Sequence, residues 1–592
     1  MSTPIFSSVP LAQSIVALCV KHGIKHVVIS PGSRNAPLTI GFANHPKITA
    51  YSIVDERCAA FFALGMAQQM REPTAIVCTS GSAVLNYYPA VAEAFYSDIP
   101  LVVISADRPE YLIDIGDGQT IRQNEVLDQH VLYSAVLKSD IRDEDKIHVL
   151  KPLPAFVTEE NSKDLAQEII AGNEKEINTA LSTARDKRGP VHLNAPFNEP
   201  LYNTTTVEVV PALFDQTNKV KQNEENPKIA DLLIKIKNAN RIMVLIGVLH
   251  PNEIEQDFIE LLAKDQRVVV LTETTANIHH PNFFPGIDTL IAPIEKNEQA
   301  QMLYERLQPD ILITFGGMIV SKKIKVFLRN YQPKTHIHVD PKHAMDTFFC
   351  LRHFMQITPN EFFEKISSAF GSSSSTYRPF WDEVKTHRIA KRDAYRAQAP
   401  YSDFTVYPVL FEHIPRPQII QLSNSSTIRY SQLFDLHPDH IIYCNRGTSG
   451  IDGSTSTAIG HSLHAKEPTT LITGDLSFFY DSNALWIDHL RDDLRIIVIN
   501  NSGGGIFRIL PGDTSADYFE KYFETTHELN AAFLCTMYNL AYAKAETLEQ
   551  LKNQLTSFYS SSNRPKLLEI CTPKAINDEV LLDHFDFMRK DF

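Results

Sequence analysis

Between residues 470 and 507 the chain carries two short strings whose side chains suit a divalent cation and a phosphate. Gly474-Asp475-Leu476-Ser477 closes one apolar run, Thr470–Thr473, and Asn500-Asn501-Ser502-Gly503-Gly504-Gly505 closes the next, Leu494–Ile499. A hard cation that carries a diphosphate needs oxygen ligands, few of them anionic, because the phosphates bring charge of their own. One Asp carboxylate, one Asn amide oxygen and a backbone carbonyl meet that need. Glycines beside them let the backbone approach a phosphate, and a following helix start favours the anion. Taken singly, Gly-Asp and Asn-Gly are common strand-to-helix turns. Here 24 residues separate Leu476 from Asn501 and each half closes a strand, which a pair of chance turns explains poorly.

This pairing resembles the signature of thiamine-diphosphate enzymes, Gly-Asp-x followed further on by Asn, although most of them have Gly where this chain has Leu476. The resemblance implies a second element. The cofactor's own aminopyrimidine deprotonates its thiazolium carbon, and a carboxyl group bonded to the pyrimidine nitrogen favours the imino tautomer that does so; burial suits such a group to the task. Strand-like Thr49–Asp55 runs into Glu56 and the amphipathic stretch Arg57–Met70, which is where the resemblance places that glutamate. Alone, Glu56 reads as a carboxylate facing a helix dipole.

Arginines form the third set. Ser33 and Arg34 follow the first strand in Ser30-Pro31-Gly32-Ser33-Arg34, and Arg108 follows another in Ser105-Ala106-Asp107-Arg108, with Gln119 and Arg122 close behind. Asn424-Ser425 leads to Arg429, and Arg446 opens Arg446-Gly447-Thr448-Ser449-Gly450. Each arginine of this set lies in a loop near the C-terminal end of a strand, where open α/β sheets bind ligands, and guanidinium forks suit carboxylates. Any one alone reads as a salt bridge. Several at equivalent strand ends of an acidic protein point to anionic substrates.

The strings SPGSRNAPL (30–38), NRGTSGIDG (445–453), GDLS…YD.NAL (474–485) and NN.GG.IF (500–507) are similar to those of the 2-succinyl-5-enolpyruvyl-6-hydroxy-3-cyclohexene-1-carboxylate synthase family of menaquinone biosynthesis, where GDLS is usual. The likeness runs over nearly the whole chain. It implies that Glu56 is the pyrimidine-activating carboxylate. Magnesium, or manganese, is then held by Asp475, Asn501 and the Gly503 carbonyl, with Gly474, Leu476 and Ser477 beside the cofactor. Ile451 is the apolar prop beneath it, and Ile506, Phe507 and Leu510 form an apolar wall near the thiazolium. Ser33, Arg34, Arg108, Gln119, Ser425, Arg429 and Arg446 line the substrate pocket. The family's central Lys-Arg pair matches Lys322-Lys323 here, so Lys322 joins the pocket while Lys323 keeps the charge without the fork. The reaction implied is thiamine-diphosphate-dependent decarboxylation of 2-oxoglutarate, then conjugate addition of the resulting succinyl-semialdehyde carbanion to isochorismate. The resemblance also implies a homodimer or homotetramer with active sites shared between protomers.

Around these residues, β-branched runs alternate with stretches of helical period from end to end. Residues 10–23 read as the first helix, with Pro10 near its start and Gly23 at its stop. Strand-like runs fall in three sets: His26–Ser30, Thr49–Asp55, Thr74–Thr79, Leu101–Ala106 and Pro190–Asn194; then Arg241–Gly247, Val268–Glu273, Asp310–Phe315 and His336–Asp340; then Gln418–Leu422, His440–Cys444, Thr470–Thr473, Leu494–Ile499 and Lys566–Cys571. The fold class predicted is α/β, with three doubly wound parallel-sheet domains. Polar stretches at Asn203–Lys228 and Gly371–Tyr377 divide them, and charged Asp140–Asp164 reads as an excursion. The expected domains are a pyrimidine-binding domain at 1–205, a central α/β domain at 215–370 and a diphosphate-binding domain at 378–592.

The 592 residues are too many for one core. A net charge of −14 disfavours nucleic acid as a partner, and scattered cysteines, seven in all, suit a reducing cytoplasm better than a disulfide framework. No apolar run is long enough to insert in a membrane. Two rival readings share part of the pattern. An acetolactate-synthase-like enzyme or another 2-oxo acid decarboxylase keeps Glu56 and Asp475 without needing so many arginines, and some such relatives hold a flavin. A non-catalytic regulatory descendant should have lost one of Glu56, Asp475 and Asn501, and all three are present. A dinucleotide dehydrogenase lacks its glycine fingerprint here.

Overall fold

The computed structural model describes residues 4–141, 162–212, 228–371, 374–509 and 514–590. The chain gathers into two compact units: Met1–Val220 with Gly447–Lys466 and Tyr480–Arg491, and the remainder.

In the first unit the elements run β1 (Phe6–Ser7), α1 (Pro10–Lys21), β2 (His26–Ile29), α2 (Ala36–Asn44), β3 (Thr49–Ser52), α3 (Glu56–Met70), β4 (Thr74–Cys78), β5 (Leu101–Asp107), β6 (Ser134–Val136), β7 (Val191–Pro196) and β8 (Thr204–Thr205). A six-stranded sheet has the order β3-β2-β4-β5-β7-β6, parallel throughout, and β1 pairs antiparallel with β8. Strands β4 and β5 are buried along their length, as a sheet covered on both faces requires.

Helix α3 positions Glu56. Asp55 caps it by accepting from Cys58 N, and Arg71 ends it in the left-handed conformation. Cys58 through Gln68 are buried on every side, the mark of a helix enclosed by neighbours. One neighbour is the helix Ser454–Ser462, which crosses with almost no separation. A Cβ at Gly65 would lie 2.1 Å from the Thr457 carbonyl oxygen, and one at Gly460 1.9 Å from that of Phe62.

The second unit holds two sheets. Strands β9 (Ile242–Ile246), β10 (Val268–Thr272), β11 (Ile311–Phe315), β12 (Thr335–Val339) and β13 (Leu351–Met355) make a five-stranded parallel sheet, order β10-β9-β11-β12-β13. Strands β14 (Gln418–Leu422), β15 (His440–Cys444), β16 (Thr469–Gly474), β17 (Arg495–Asn500), β18 (Ala541–Ala545) and β19 (Lys566–Cys571) make a six-stranded one, order β15-β14-β16-β17-β19-β18. In each sheet the chain steps outward once and then returns past its starting strand. That reversal opens a crevice at the strands' C-terminal ends, between β2 and β4 and between β14 and β16.

The three parallel sheets with flanking helices are the fold class that the alternating pattern predicts. Strand bounds shift slightly: the run Thr49–Asp55 stops at Ser52, because Asp55 turns to cap α3. In the parallel sheets three edge strands escape sequence reading, β6, β13 and β18, each short and partly exposed, and so does the two-residue pair β1 and β8. Of the polar segments, residues 142–161, 213–227 and 372–373 lie outside the described residues. Among the described residues no helix is long and apolar enough to cross a membrane.

Candidate active site

The third sheet brings together, at the C-terminal ends of its strands, the residues expected from the sequence to offer oxygen ligands. Asp475 is buried; its Oδ1 accepts from Leu476 N (2.6 Å) and its Oδ2 from Gly503 N (2.9 Å). Gly503 has φ +151°, and a Cβ there would sit 2.7 Å from the Glu524 carbonyl oxygen, so the turn admits only glycine. Its own carbonyl accepts from Gly505 N at 3.1 Å, which leaves one lone pair for a cation. Asn501 donates from Nδ2 to Asp403 Oδ2 (2.8 Å), and Thr572 Oγ1 donates to Asp403 Oδ1 (2.6 Å). With the amide nitrogen so committed, the amide oxygen is the atom that Asn501 can offer a metal. Burial pushes the Asp403 carboxyl up to about 6 against those two hydrogen bonds, and the charge of Asp475 adds to the rise.

The segment Glu524–His527, which follows the glycine turn, closes this cradle. His527 Nδ1 accepts from Leu529 N (3.1 Å), which puts the ring proton on Nε2, 3.3 Å from Asp475 Oδ2. Glu524, itself buried, takes both ends of the Arg508 fork at 2.6 and 2.7 Å and its backbone carbonyl receives Gly504 N. Ile506 and Phe507 lie on the 3₁₀ turn Gly505–Ile509, half-buried, with Phe507 edge-on to Phe523. Leu510 lies outside the described residues. Gly474 ends β16 with its N–H on Ser423 Oγ (3.3 Å), while Leu476 is half-buried and Ser477 buried on the short helix that follows.

In the first unit Glu56 is half-buried rather than enclosed. It lines a cleft of about 410 Å³ with Val54, Asp55, Arg57, Asn86, Asn483 and Trp486. Ile451, in the same unit, is half-buried in the loop between Gly447 and Gly453. Glu93 fixes that loop: its buried carboxylate accepts from Gly447 N and Thr448 N, both at 2.7 Å, and from Thr448 Oγ1.

The arginines of the first unit gather at the C-terminal ends of β2, β4 and β5. Arg34 is buried, donating to the Phe197 carbonyl (3.0 Å) and pairing with Glu199 (3.1 Å). Arg108 pairs with Asp117 (2.6 Å) and donates to Ser80 Oγ and the Gln119 carbonyl. Burial lowers the Arg34 pKa, Glu199 counters it, and the Arg108 charge adds to the lowering, so the two guanidiniums feel one another. Gln119 takes part through its backbone, at φ +55°, and Ser33 stands exposed in the loop before Arg34.

A second cationic group belongs to the second unit. Arg429 donates to the Ser425 carbonyl (2.9 Å), and buried Arg446 to Asn424 Oδ1 (2.6 Å). Burial lowers the Arg429 pKa, with a further push from Arg446 and a counter from Asp288. Lys322 begins the helix Lys322–Asn330 and is exposed, whereas Lys323 is paired with Glu295. Sequence reading missed three groups here. Lys325 carries a pKa lowered by burial, countered by Glu273 and reinforced by Arg446. Glu273, pushed up to about 7 by burial, receives Val320 N and Ser321 N, and Asp288 bonds Ser321 Oγ.

These residues fit a diphosphate held through a divalent cation: a buried carboxylate, an amide oriented by a second carboxylate, and a glycine turn with no room for a side chain. Comparison with known proteins points the same way. Residues 10–132 match the model of the thiamine pyrophosphate enzyme N-terminal TPP-binding domain. The chain is 54% identical over 590 residues, 99% of its length and 100% of the relative's, to the 2-succinyl-5-enolpyruvyl-6-hydroxy-3-cyclohexene-1-carboxylate synthase of Christiangramia forsetii. It is 48% identical to the protein of that name in Flavobacterium psychrophilum, over 98% of this chain and 99% of the other. For the Porphyromonas gingivalis protein the identity is 36%, over 96% and 95%.

Proposed function

This chain belongs to the 2-succinyl-5-enolpyruvyl-6-hydroxy-3-cyclohexene-1-carboxylate synthase family of thiamine-diphosphate enzymes, and from that premise we propose that it decarboxylates 2-oxoglutarate and joins the resulting four-carbon unit to isochorismate, for menaquinone biosynthesis. The observation that carries the reading is the Asp475–Gly503–Asn501 cluster at one sheet's crevice, in a chain that also holds Glu56 and two arginine groups. Thiamine diphosphate, when bound, supplies the electron sink for decarboxylation.

The chain's own groups do the rest. Asp475, Asn501 and the Gly503 carbonyl hold magnesium, or manganese, and with Gly474, Leu476 and Ser477 they seat the diphosphate. Glu56 holds a proton toward the pyrimidine nitrogen. Ile451 would support the bound cofactor, and Ile506 and Phe507 would shield its reacting carbon from water. In the first unit Ser33, Arg34, Arg108 and Gln119, and in the second Lys322, Ser425, Arg429 and Arg446, are the groups that would receive substrate carboxylates. Arg34 and Arg108 already hold carboxylates of this chain. A substrate carboxylate therefore exchanges for Glu199 or Asp117 at a guanidinium that is already desolvated and oriented, which limits the ordering cost. Assembly as a homodimer or homotetramer, supported by the family resemblance, and a cytoplasmic setting, supported by free thiols, belong to the same reading.

The test is 2-oxoglutarate consumption with and without isochorismate, in thiamine diphosphate and magnesium. Turnover that requires both substrates is expected. Turnover of 2-oxoglutarate indifferent to isochorismate, or bound flavin in the purified protein, would move the chain toward the simpler decarboxylases.

A further inference from the structure

The string Tyr480-Asp481-Ser482-Asn483 has no part in the chemistry described above, yet it grips the residues on both sides of Glu56. Asn483 Nδ2 donates to Asp55 Oδ2 at 2.8 Å. The other oxygen of Asp55 caps α3 by accepting from Cys58 N at 3.0 Å. Arg57 donates to the Tyr480 carbonyl at 2.7 Å, and its guanidinium lies 4.5 Å from the centre of the Tyr480 ring. Cys58 Sγ points at Asp481 Oδ1, 3.6 Å away. Asp481 has no exposed surface, and it also receives Ser456 N at 2.7 Å and Ser456 Oγ at 2.9 Å. Residues 55, 57 and 58 are thus each tied to one four-residue turn, and Glu56 lies between them on the wall of the cleft that Asp55, Arg57 and Asn483 also line.

We propose that Tyr480–Asn483 is a positioning element for Glu56, with Asn483 setting the Asp55 cap and Asp481 anchoring the turn to Ser456. The proposal rests on the reading of Glu56 as the proton-holding carboxyl. The physical reason is local. An N-cap fixes the backbone of the residue before the helix, and Glu56 is the first helical residue, so its side chain leaves the backbone in a direction that Asp55 decides. A carboxyl that must meet one ring nitrogen tolerates little displacement, and misplacement by about 1 Å costs up to roughly a hundredfold in rate. Asp55 bonded to both Cys58 N and Asn483 cannot rotate without breaking one of them.

The measurement is hydrogen–deuterium exchange at the thiazolium C2 of bound thiamine diphosphate with magnesium, by acid quench and proton NMR, which reads cofactor activation without substrate. Asn483 is exposed, so Asn483→Ala should fold. It is expected to slow exchange on the order of ten- to a hundredfold while cofactor affinity and the apo-protein melting temperature stay near wild type. Ser456→Ala, which removes one of the Asp481 donors, should slow it less. Glu56→Gln should slow it most, and the double variant Glu56→Gln/Asn483→Ala should be no slower than Glu56→Gln, because Asn483 acts through Glu56. Wild-type exchange in Asn483→Ala beside slow exchange in Glu56→Gln would overturn the positioning role and leave the Glu56 reading standing. Full additivity in the double variant would also overturn it. Wild-type exchange in Glu56→Gln would remove the Glu56 reading and this proposal together.

Discussion

The first and third sheets have the same strand order, yet loops at matching places carry different chemistry. After β2 come Ser33 and Arg34, and after its counterpart β14 come Ser425 and Arg429. After β3 the chain offers Glu56, and after β15 it offers Arg446 and Ile451. After β5 stands Arg108, where β17 leads instead to Asn501. After β4 stand Thr79 and Ser80, where β16 leads to Asp475. Topology decides where loops converge, and side chains alone decide whether the crevice takes a carboxylate or a cation. The central sheet begins in the same order but closes its crevice with backbone: a Cβ at Gly247 would lie 1.9 Å from the Gly317 carbonyl oxygen.

That contrast can be broken experimentally. Glu56→Gln removes one of the two carboxyls that follow β3, and turnover should fall by roughly 10²–10⁴ with cofactor affinity retained. A near wild-type kcat would return Glu56 to an ordinary helix-start residue. Asp475→Ala strikes the matching crevice in the other way. Calorimetric titration with thiamine diphosphate and magnesium should show affinity lost by about a hundredfold or more, beyond the roughly 10–100-fold typical of an outer partner of a metal. Unchanged affinity would take Asp475 out of the metal site.

Arg108→Ala and Arg429→Ala test whether both crevices bind carboxylates. Each should lower kcat/KM for at least one substrate by well over tenfold, from a loss of about 2–5 kcal/mol, while cofactor affinity holds. Arg→Lys should recover part of it, since charge returns without the fork. If no parameter moves for either substrate, these arginines serve only their internal partners. The smallest effect sharpens the comparison from the central sheet. Gly247→Ala forces backbone apart and should cost about 1–3 kcal/mol of stability, read as a lower melting temperature, with cofactor titration unchanged.

Interior strands were legible in the sequence because burial on both faces makes them continuous apolar runs. Edge strands β6, β13 and β18 were not, since one face or end meets water and the pattern dilutes. Asp475 and Asn501 were legible because their spacing is local. Asp403 was invisible for the opposite reason, since it reaches the cradle from 98 positions away. His527 and Glu524, although near in sequence, were invisible because nothing in Glu524-Thr525-Thr526-His527 announces a fold back onto the glycine turn. Glu93 gave no signal either, because its partner, the loop at Gly447, lies 354 positions away. The same holds for Asn483, whose partner Asp55 is more than four hundred positions away.

The glycine crossing of α3 with Ser454–Ser462 has a consequence for synthesis of the chain. Helix α3 is complete at Met70, but the helix that covers it leaves the ribosome nearly four hundred residues later, a wait of roughly 20–80 s at about 5–20 residues per second. Through that interval the apolar face around Gly65 has no partner from its own chain. A gene fragment ending at residue 220 lacks the covering helix altogether, and it should be less soluble than the full chain for that reason.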